Sequence, residues 1–306
     1  VAIVFHADDF GITPEQSGRI LDCREHGILN SLSVIVTSPR LDECLPLLET
    51  RGEGLLVGLH ANVVEGRCLS DPADVPLLVD EQGVFRQSFA SMLRLSQGRS
   101  HDELAAQLER ELSAQISLFA ERVPQARDHL RVDGHQHFQL IPAVFEALLA
   151  AIQSSGCHLD YLRVPAEPTS PFLTSGVMGG VEPLNWVKHG LLDWLWGIDS
   201  ARLPSYRSVS ALFCGICFSG HMDAERVSRV FPAFMRLARR EEMDVEFLFH
   251  PGRVADRASC LNPGLEGFVE FSTGEGRDVE RAALMSLRLG HDGSGSPVLV
   301  APSSEA

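Results

Sequence analysis

The chain reads as an α/β protein built on a mostly parallel sheet. Short apolar runs of strand length alternate with longer amphipathic segments along its whole length. Polar clusters sit where those runs end, the edge at which parallel α/β folds collect their functional side chains.

Taken in order, residues 1–5 form the first strand, which runs into His6-Ala7-Asp8-Asp9-Phe10-Gly11. Residues 14–26 follow as a helix, with Thr13 as N-cap and Pro14 in the first helical position. A strand at 31–37 (SLSVIVT), a short helix at 41–50 and a strand at 55–62 (LLVGLHAN) continue the alternation. Residues 63–100 are loop-rich, too long for a simple connection, and read as a functional insertion. The helix expected at 101–123 spaces Leu104, Leu108, Leu112, Ile116 and Phe119 along one face. Strands are expected at 130–138, 159–164, 209–218 and 245–250, and helices at 142–154, 183–198, 223–242 and 279–289. The division expected is one (β/α) domain over 1–290, with the insertion at 63–100 and a variable segment at 169–222. A flexible tail over 291–306, rich in Gly and Ser, would follow.

Composition narrows the function. At 306 residues, 44% hydrophobic and 22% charged, the chain is an ordinary globular protein long enough to bury a sizeable core. Its formal net charge of -15 argues against nucleic acid or an anionic membrane as the main partner, since both demand a basic face. Lys188 is the one lysine, which we ascribe to genome composition. Seven cysteines, an odd number scattered along the chain, fit a reduced, cytoplasmic setting better than a disulfide scaffold. No apolar run reaches the ~18 residues of a membrane span, and no signal peptide is visible. A strand-like run starts at once from Val1, consistent with a missing initiator Met or short leader. No Gly-rich phosphate fingerprint follows the first strand, so a nucleotide site is not indicated.

Four polar clusters carry the chemistry: Asp8-Asp9, His60, the run Asp133-Gly134-His135-Gln136-His137, and His250. On an ideal strand Asp133, His135 and His137 would share one face. Two imidazoles and a carboxylate converging there suit a divalent transition metal. Adjacent Asp8 and Asp9 reach one site only if the strand ends and the backbone turns, which Gly11 allows. Cys214-Gly215-Ile216-Cys217 is a lone C-x-x-C in an apolar run and reads as buried thiols. Trp186, Trp194 and Trp196, with Leu191, Leu192 and Leu195, mark a core or oligomer helix, or an aromatic wall for a sugar ring or acyl chain.

These clusters, in this order, resemble the YdjC-like (ChbG/HpnK) carbohydrate deacetylase family. The stretches that carry the resemblance are HADDFG at 6–11, VGLHANV at 57–63, VDGHQH at 132–137, LRVPAEP at 162–168 and EFLFHPG at 246–252. The resemblance implies a distorted (β/α) barrel of the NodB-like deacetylase type, which removes acetyl groups from N-acetylated sugars with one divalent metal. It implies Asp8 as general base, His250 as general acid, and Asp9, His60 and His135 as metal ligands, with His137 the alternative third ligand. Arg163 would lie near the substrate, and Asp133, His137 and Glu246 would support the ligands or the substrate. Zinc suits two imidazoles best; Mg, Mn, Co or Ni would also be accepted. The partner is a small-molecule or oligosaccharide substrate, with a homo-oligomer expected as one possibility. Two rival readings are an amidohydrolase-like site in which His6 and Asp8 form the metal pair, and a sugar-binding barrel without turnover.

Overall fold

The computed structural model describes residues 1–300. All seven expected strands are present: β1 (Ile3–Phe10), β2 (Ser31–Val34), β3 (Leu56–Ala61), β4 (Leu130–Gly134), β5 (Leu159–Leu162), β6 (Ala211–Cys214) and β7 (Asp244–Phe249). They form one sheet in the order β5-β4-β3-β2-β1-β7-β6, and every neighbouring pair is parallel.

That sheet is strongly curled. β5 and β7 lie five steps apart in the order, a separation of about 24 Å in a flat sheet at about 4.8 Å per step. Yet the Tyr161 hydroxyl of β5 donates to Glu246 of β7, and Arg163, one residue past β5, donates from Nε to Glu246 Oε1 at 2.6 Å. Only a sheet bent into a half-barrel brings those side chains together. The result is the distorted barrel that the sequence predicts.

Helices α1 (Pro14–Glu25), α2 (Leu41–Arg51), α3 (Phe89–Ser96), α4 (His101–Arg122), α5 (Pro142–Ser155), α6 (Thr169–Ser175), α7 (Pro183–Asp199), α8 (Tyr206–Val209), α9 (Ala224–Glu241), α10 (Glu266–Thr273) and α11 (Gly276–Ser286) complete the fold. Thr13 caps α1 as expected, its side chain accepting from the Gln16 N–H. All five apolar positions of the α4 stripe are buried, each stabilising the fold by about 1.5–3 kcal/mol relative to exposure. The 63–100 insertion is tied to the same helix: Glu111 accepts the backbone N–H groups of Leu69 and Ser70, and Gln107 that of Leu77. Among the described residues no helix is long and apolar enough to cross a membrane.

Several boundaries differ from expectation for physical reasons. β1 runs on to Phe10 with an irregularity between Ala7 and Phe10, so the acidic pair lies within the strand's end. β4 stops at Gly134, and residues 135–140 form tight turns in which Gln136 and His137 take φ of 55° and 60°. The alternation argument for Asp133, His135 and His137 therefore does not apply; the backbone turns between them. β6 ends at Cys214 because the N–H groups of residues 215–217 are claimed by the Glu167 carboxylate. Helices α3, α6, α8 and α10 lie where no helix is expected. Residues 288–300, expected to be loose from 290, form an antiparallel hairpin of β8 (Arg288–His291) and β9 (Pro297–Val300); the rest of the expected tail, 301–306, lies outside the described residues.

Candidate active site

The carboxyl ends of β1, β3 and β4 deliver Asp8 and Asp9, His60, and Asp133 with His135 into one buried cluster. Asp9 sits at φ 70°, a left-handed conformation that Asp adopts more readily than most residues. This break in the strand is what lets two adjacent carboxylates serve the same pocket. Asp9 turns toward His60 and His135, and Asp8 toward His6, Arg163 and His250.

Asp9 Oδ1, His60 Nε2 and His135 Nδ1 form a nearly equilateral triangle. The edges are 3.3 Å, 3.2 Å and 3.1 Å. Tetrahedral ligands at about 2.0 Å from a metal stand about 3.3 Å from one another. Asp9 Oδ1 is also buried without a hydrogen-bond partner. The outer nitrogen of each imidazole meets a carboxylate: His60 Nδ1 lies 2.5 Å from Asp133 Oδ1, and His135 Nε2 lies 2.9 Å from Glu65 Oε2. Such partners fix the tautomer and aim the other nitrogen's lone pair inward. The trio fits a divalent ion in donor type, spacing and support.

The charges around the trio shift all three groups, and an ion must displace the protons that the acidic surroundings hold on the imidazoles. Burial would raise the Asp9 carboxyl, but Arg277, His135 and His60 hold it well below the usual carboxylate range; Arg277 Nη2 donates to Asp9 Oδ2 at 2.7 Å. Burial would lower the His60 imidazole, but Asp8 and Asp133 raise it to about 10. Burial likewise opposes His135, yet Asp9 and Glu65 bring it to about 8. His137 is different. Its left-handed backbone turns the ring onto Phe213, 5.8 Å between centroids, and burial together with Arg163 lowers it to about 3. It is a neutral imidazole that stands outside the triangle.

A second acidic group, His6, Asp8 and Asp133, also brings possible ligand atoms together. Here a cation is already in place. Arg163, fully buried, contacts Asp8 Oδ2 at 2.9 Å, Asp133 Oδ2 at 3.2 Å and Glu246 Oε1 at 2.6 Å. This guanidinium brings one positive charge to three carboxylates and pairs with the Oδ2 oxygens of Asp8 and Asp133, the acidic partners of His6. Burial would raise Asp8, but Arg163, His60 and His6 hold it well below the usual range. Arg163 thus lies beneath the cluster, sealed from solvent.

His250 stands at the open side. Its Nε2 is 3.9 Å from Asp8 Oδ2, and its ring packs edge-on against Phe271 at 5.0 Å. Beside it opens a cavity of about 210 Å³ lined by His221, His250, Glu270, Phe271, Arg277 and Glu280. Sequence reasoning missed Glu65, Arg277 and Glu280. The last two lie on the buried stripe of α11 with Ala283 and Leu284, and charged residues on a helix's apolar face were the signal available.

A curled parallel α/β half-barrel with a buried Asp-His-His group and an Asp–His pair at its carboxyl edge is the class of protein that this fold and site define. The chain belongs to the family described as YdjC-like protein, whose model matches residues 2–292. It is 32% identical over 169 residues to a carbohydrate deacetylase of Mus musculus, covering 55% of this chain and 51% of the relative. It is 27% identical over 261 residues to a carbohydrate deacetylase of Homo sapiens, covering 82% and 74%. Identity to a chitooligosaccharide deacetylase of Serratia marcescens is 26% over 170 residues, 54% and 61% of the two chains. The matched stretch spans about half the length of the first of these relatives. In three dimensions the chain is similar to a crystal structure from Enterococcus faecalis, provisionally described as a cellobiose-phosphate cleavage protein. The TM-score is 0.62 at 16% identity, with 93% and 90% of the two chains covered.

Proposed function

We propose that the chain is a metal-dependent deacetylase that hydrolyses the N-acetyl group of an N-acetylated sugar or oligosaccharide. The observation that carries this reading is the Asp9–His60–His135 triangle lying directly beside Asp8 and His250. The names of the relatives support the substrate class.

Asp9, His60 and His135 would hold the ion, zinc being favoured by two imidazoles, with Mg, Mn, Co or Ni accepted. A divalent ion in such a site polarises the acetyl carbonyl and lowers the pKa of water. Asp8, kept ionised by Arg163, takes the proton of the attacking water. His250, at the mouth and within 3.9 Å of Asp8, gives a proton to the departing amine. Asp133 and Glu65 orient the two imidazoles; Arg163 and Glu246 hold Asp8 and Asp133 in place from below. The cavity at His250 and Phe271 supports entry of the sugar from that side. A binder without turnover has no need of both Asp8 and His250, and the Arg163 guanidinium disfavours a metal between His6 and Asp8.

We read residues 1–290 as one catalytic domain, in which the 63–100 insertion secures Glu65 against His135. Seven free cysteines support a reducing, cytoplasmic setting. Outward-facing Leu184, Val187, Trp194 and Ile198 on α7 support self-association. The test is acetate release from N-acetylated chitooligosaccharides by metal-loaded protein, with His60→Ala as control. Absence of acetate from the loaded wild type would sink the reading.

A further inference from the structure

A separate buried donor set is drawn from the loop after β5, from α7 and from the turn after β6. Glu167, in the loop after β5, His189, on α7, and Cys217, past β6, each place one donor atom within 4.8 Å of the others. All three are at most 5% exposed. None belongs to the Asp9–His60–His135 group. The C-x-x-C that reads as inert buried thiols in the sequence therefore has an imidazole and a carboxylate for company.

The arrangement is prepared for a cation. His189 Nε2 lies 2.7 Å from the carbonyl oxygen of Glu167 and can only donate there, so Nδ1 carries the lone pair. This is how metal-binding imidazoles are usually fixed. Nδ1 faces a second acceptor, Asp193 Oδ2, at 3.6 Å. The Glu167 carboxylate is fixed by three backbone donors, Gly215, Ile216 and Cys217, at 2.7, 3.3 and 2.8 Å. Carboxylate oxygens have lone pairs to spare after such bonds. Burial raises the Glu167 and Asp193 carboxyls. Burial also raises the Cys214 and Cys217 thiols.

We propose that Cys217, Glu167 and His189 form a second, structural metal site for a thiolate-accepting divalent ion, zinc above all. Thiolate and imidazole together select zinc over hard, oxygen-seeking ions. On binding, the Cys217 Sγ–H bond is lost, its proton passes to solvent and the sulfur lone pair goes to the ion. The closed, dry surroundings fit a structural role: the ion would pin α7 and the 215–217 turn to the end of β5.

The test uses the full chain carrying His60→Ala and His135→Ala, which removes the other donor set, reduced and stripped with chelator. Titration with cobalt(II) is expected to bind one equivalent with a thiolate-to-cobalt charge-transfer band. Zinc is expected to raise Tm. Adding Cys217→Ser abolishes the band and the Tm rise, whereas Cys68→Ser and Cys157→Ser, at the two half-buried thiols, leave both intact. Should Cys217→Ser not fold, the band and stoichiometry in the double-alanine parent decide alone. No charge-transfer band at saturating cobalt, or a zinc-induced Tm rise that survives Cys217→Ser, overturns the site. Acetate release plays no part in the readout, so failure here leaves the deacetylase reading untouched.

Discussion

Glu280 holds His250 by two handles at once. Its Oε2 lies 2.5 Å from the His250 backbone nitrogen and 3.3 Å from the ring Nδ1, while Oε1 accepts the Gly220 N–H at 2.8 Å. One fully buried carboxylate on α11 therefore fixes both the turn after β7 and the direction in which His250 Nε2 points.

That relationship gives the first expectation. Glu280→Gln should retain metal and lower kcat by about tenfold to a hundredfold, in keeping with the loss of a group that orients a general acid. KM should change little. In His250→Ala the same change should cost almost nothing more, because residues acting as one unit are non-additive. Full additivity in the double variant would show that Glu280 acts elsewhere.

The two adjacent aspartates should fail in different ways. Asp8→Asn keeps shape but removes the base, and should retain metal while losing about 10²–10⁴-fold in turnover. Asp9→Asn takes a charge from the triangle and should weaken metal binding. Metal analysis beside acetate release separates them; near-normal rates in Asp8→Asn with a loaded but dead Asp9→Asn would reverse the assignment.

Metal retention after dialysis should fall in His60→Ala and in His135→Ala and persist in His137→Ala, whose ring faces Phe213. Uptake should also depend on pH. Protonated imidazole cannot ligate, and with His60 raised to about 10 and His135 to about 8, affinity should rise with pH by about tenfold per unit for each proton displaced. Below pH 8 both imidazoles contribute. A flat affinity between pH 6 and pH 8 (measured by competition with a chelator of known behaviour) would contradict the ligand set.

Asp199, at the end of α7, offers a stability test away from the site. Both its carboxylate oxygens are buried without a hydrogen bond, and burial raises it to about 6 against the pull of Arg202. Because the folded state holds this proton more tightly than the unfolded chain, stability contributed by protonated Asp199 is lost as pH rises from about 4 to 6. Asp199→Asn should therefore stabilise the fold at pH 7.5 by about 1 kcal/mol, the lost attraction to Arg202 offsetting part of the gain, with a higher Tm, and should do little at pH 4. Thermal melts at the two pH values check it.

The apolar-rich runs were enough to place all seven strands, because strands covered on both faces carry mostly apolar residues. The polar clusters at their ends were visible for the same reason, as interruptions of those runs. Pattern alone could not show where the backbone leaves the strand. Alternation put His137 with His135, and the left-handed residues 136 and 137 separate them. Glu65 was out of reach because it meets His135 across the barrel, 70 residues away in sequence; Arg277 and Glu280 stood on an apolar helix face, but nothing in the pattern named their partners, 268 and 30 residues away. Glu167 went unread because its partners are backbone N–H groups, which leave no mark in residue type.

The bond between Arg277 and Asp9 has a consequence for the birth of the molecule. Translation delivers Asp9 268 residues before Arg277, so the emerging chain carries Asp9 and its two imidazoles without the guanidinium while that stretch is made. Helices α1 to α9 can dock around the sheet in that interval, since their contacts are closer in sequence, whereas the Asp9 pocket is completed only when α11 leaves the ribosome and closes the loop. A chain cut just before residue 277 would keep most of its core and leave the Asp9 carboxylate without its guanidinium, so the site matures only after α11 has been made.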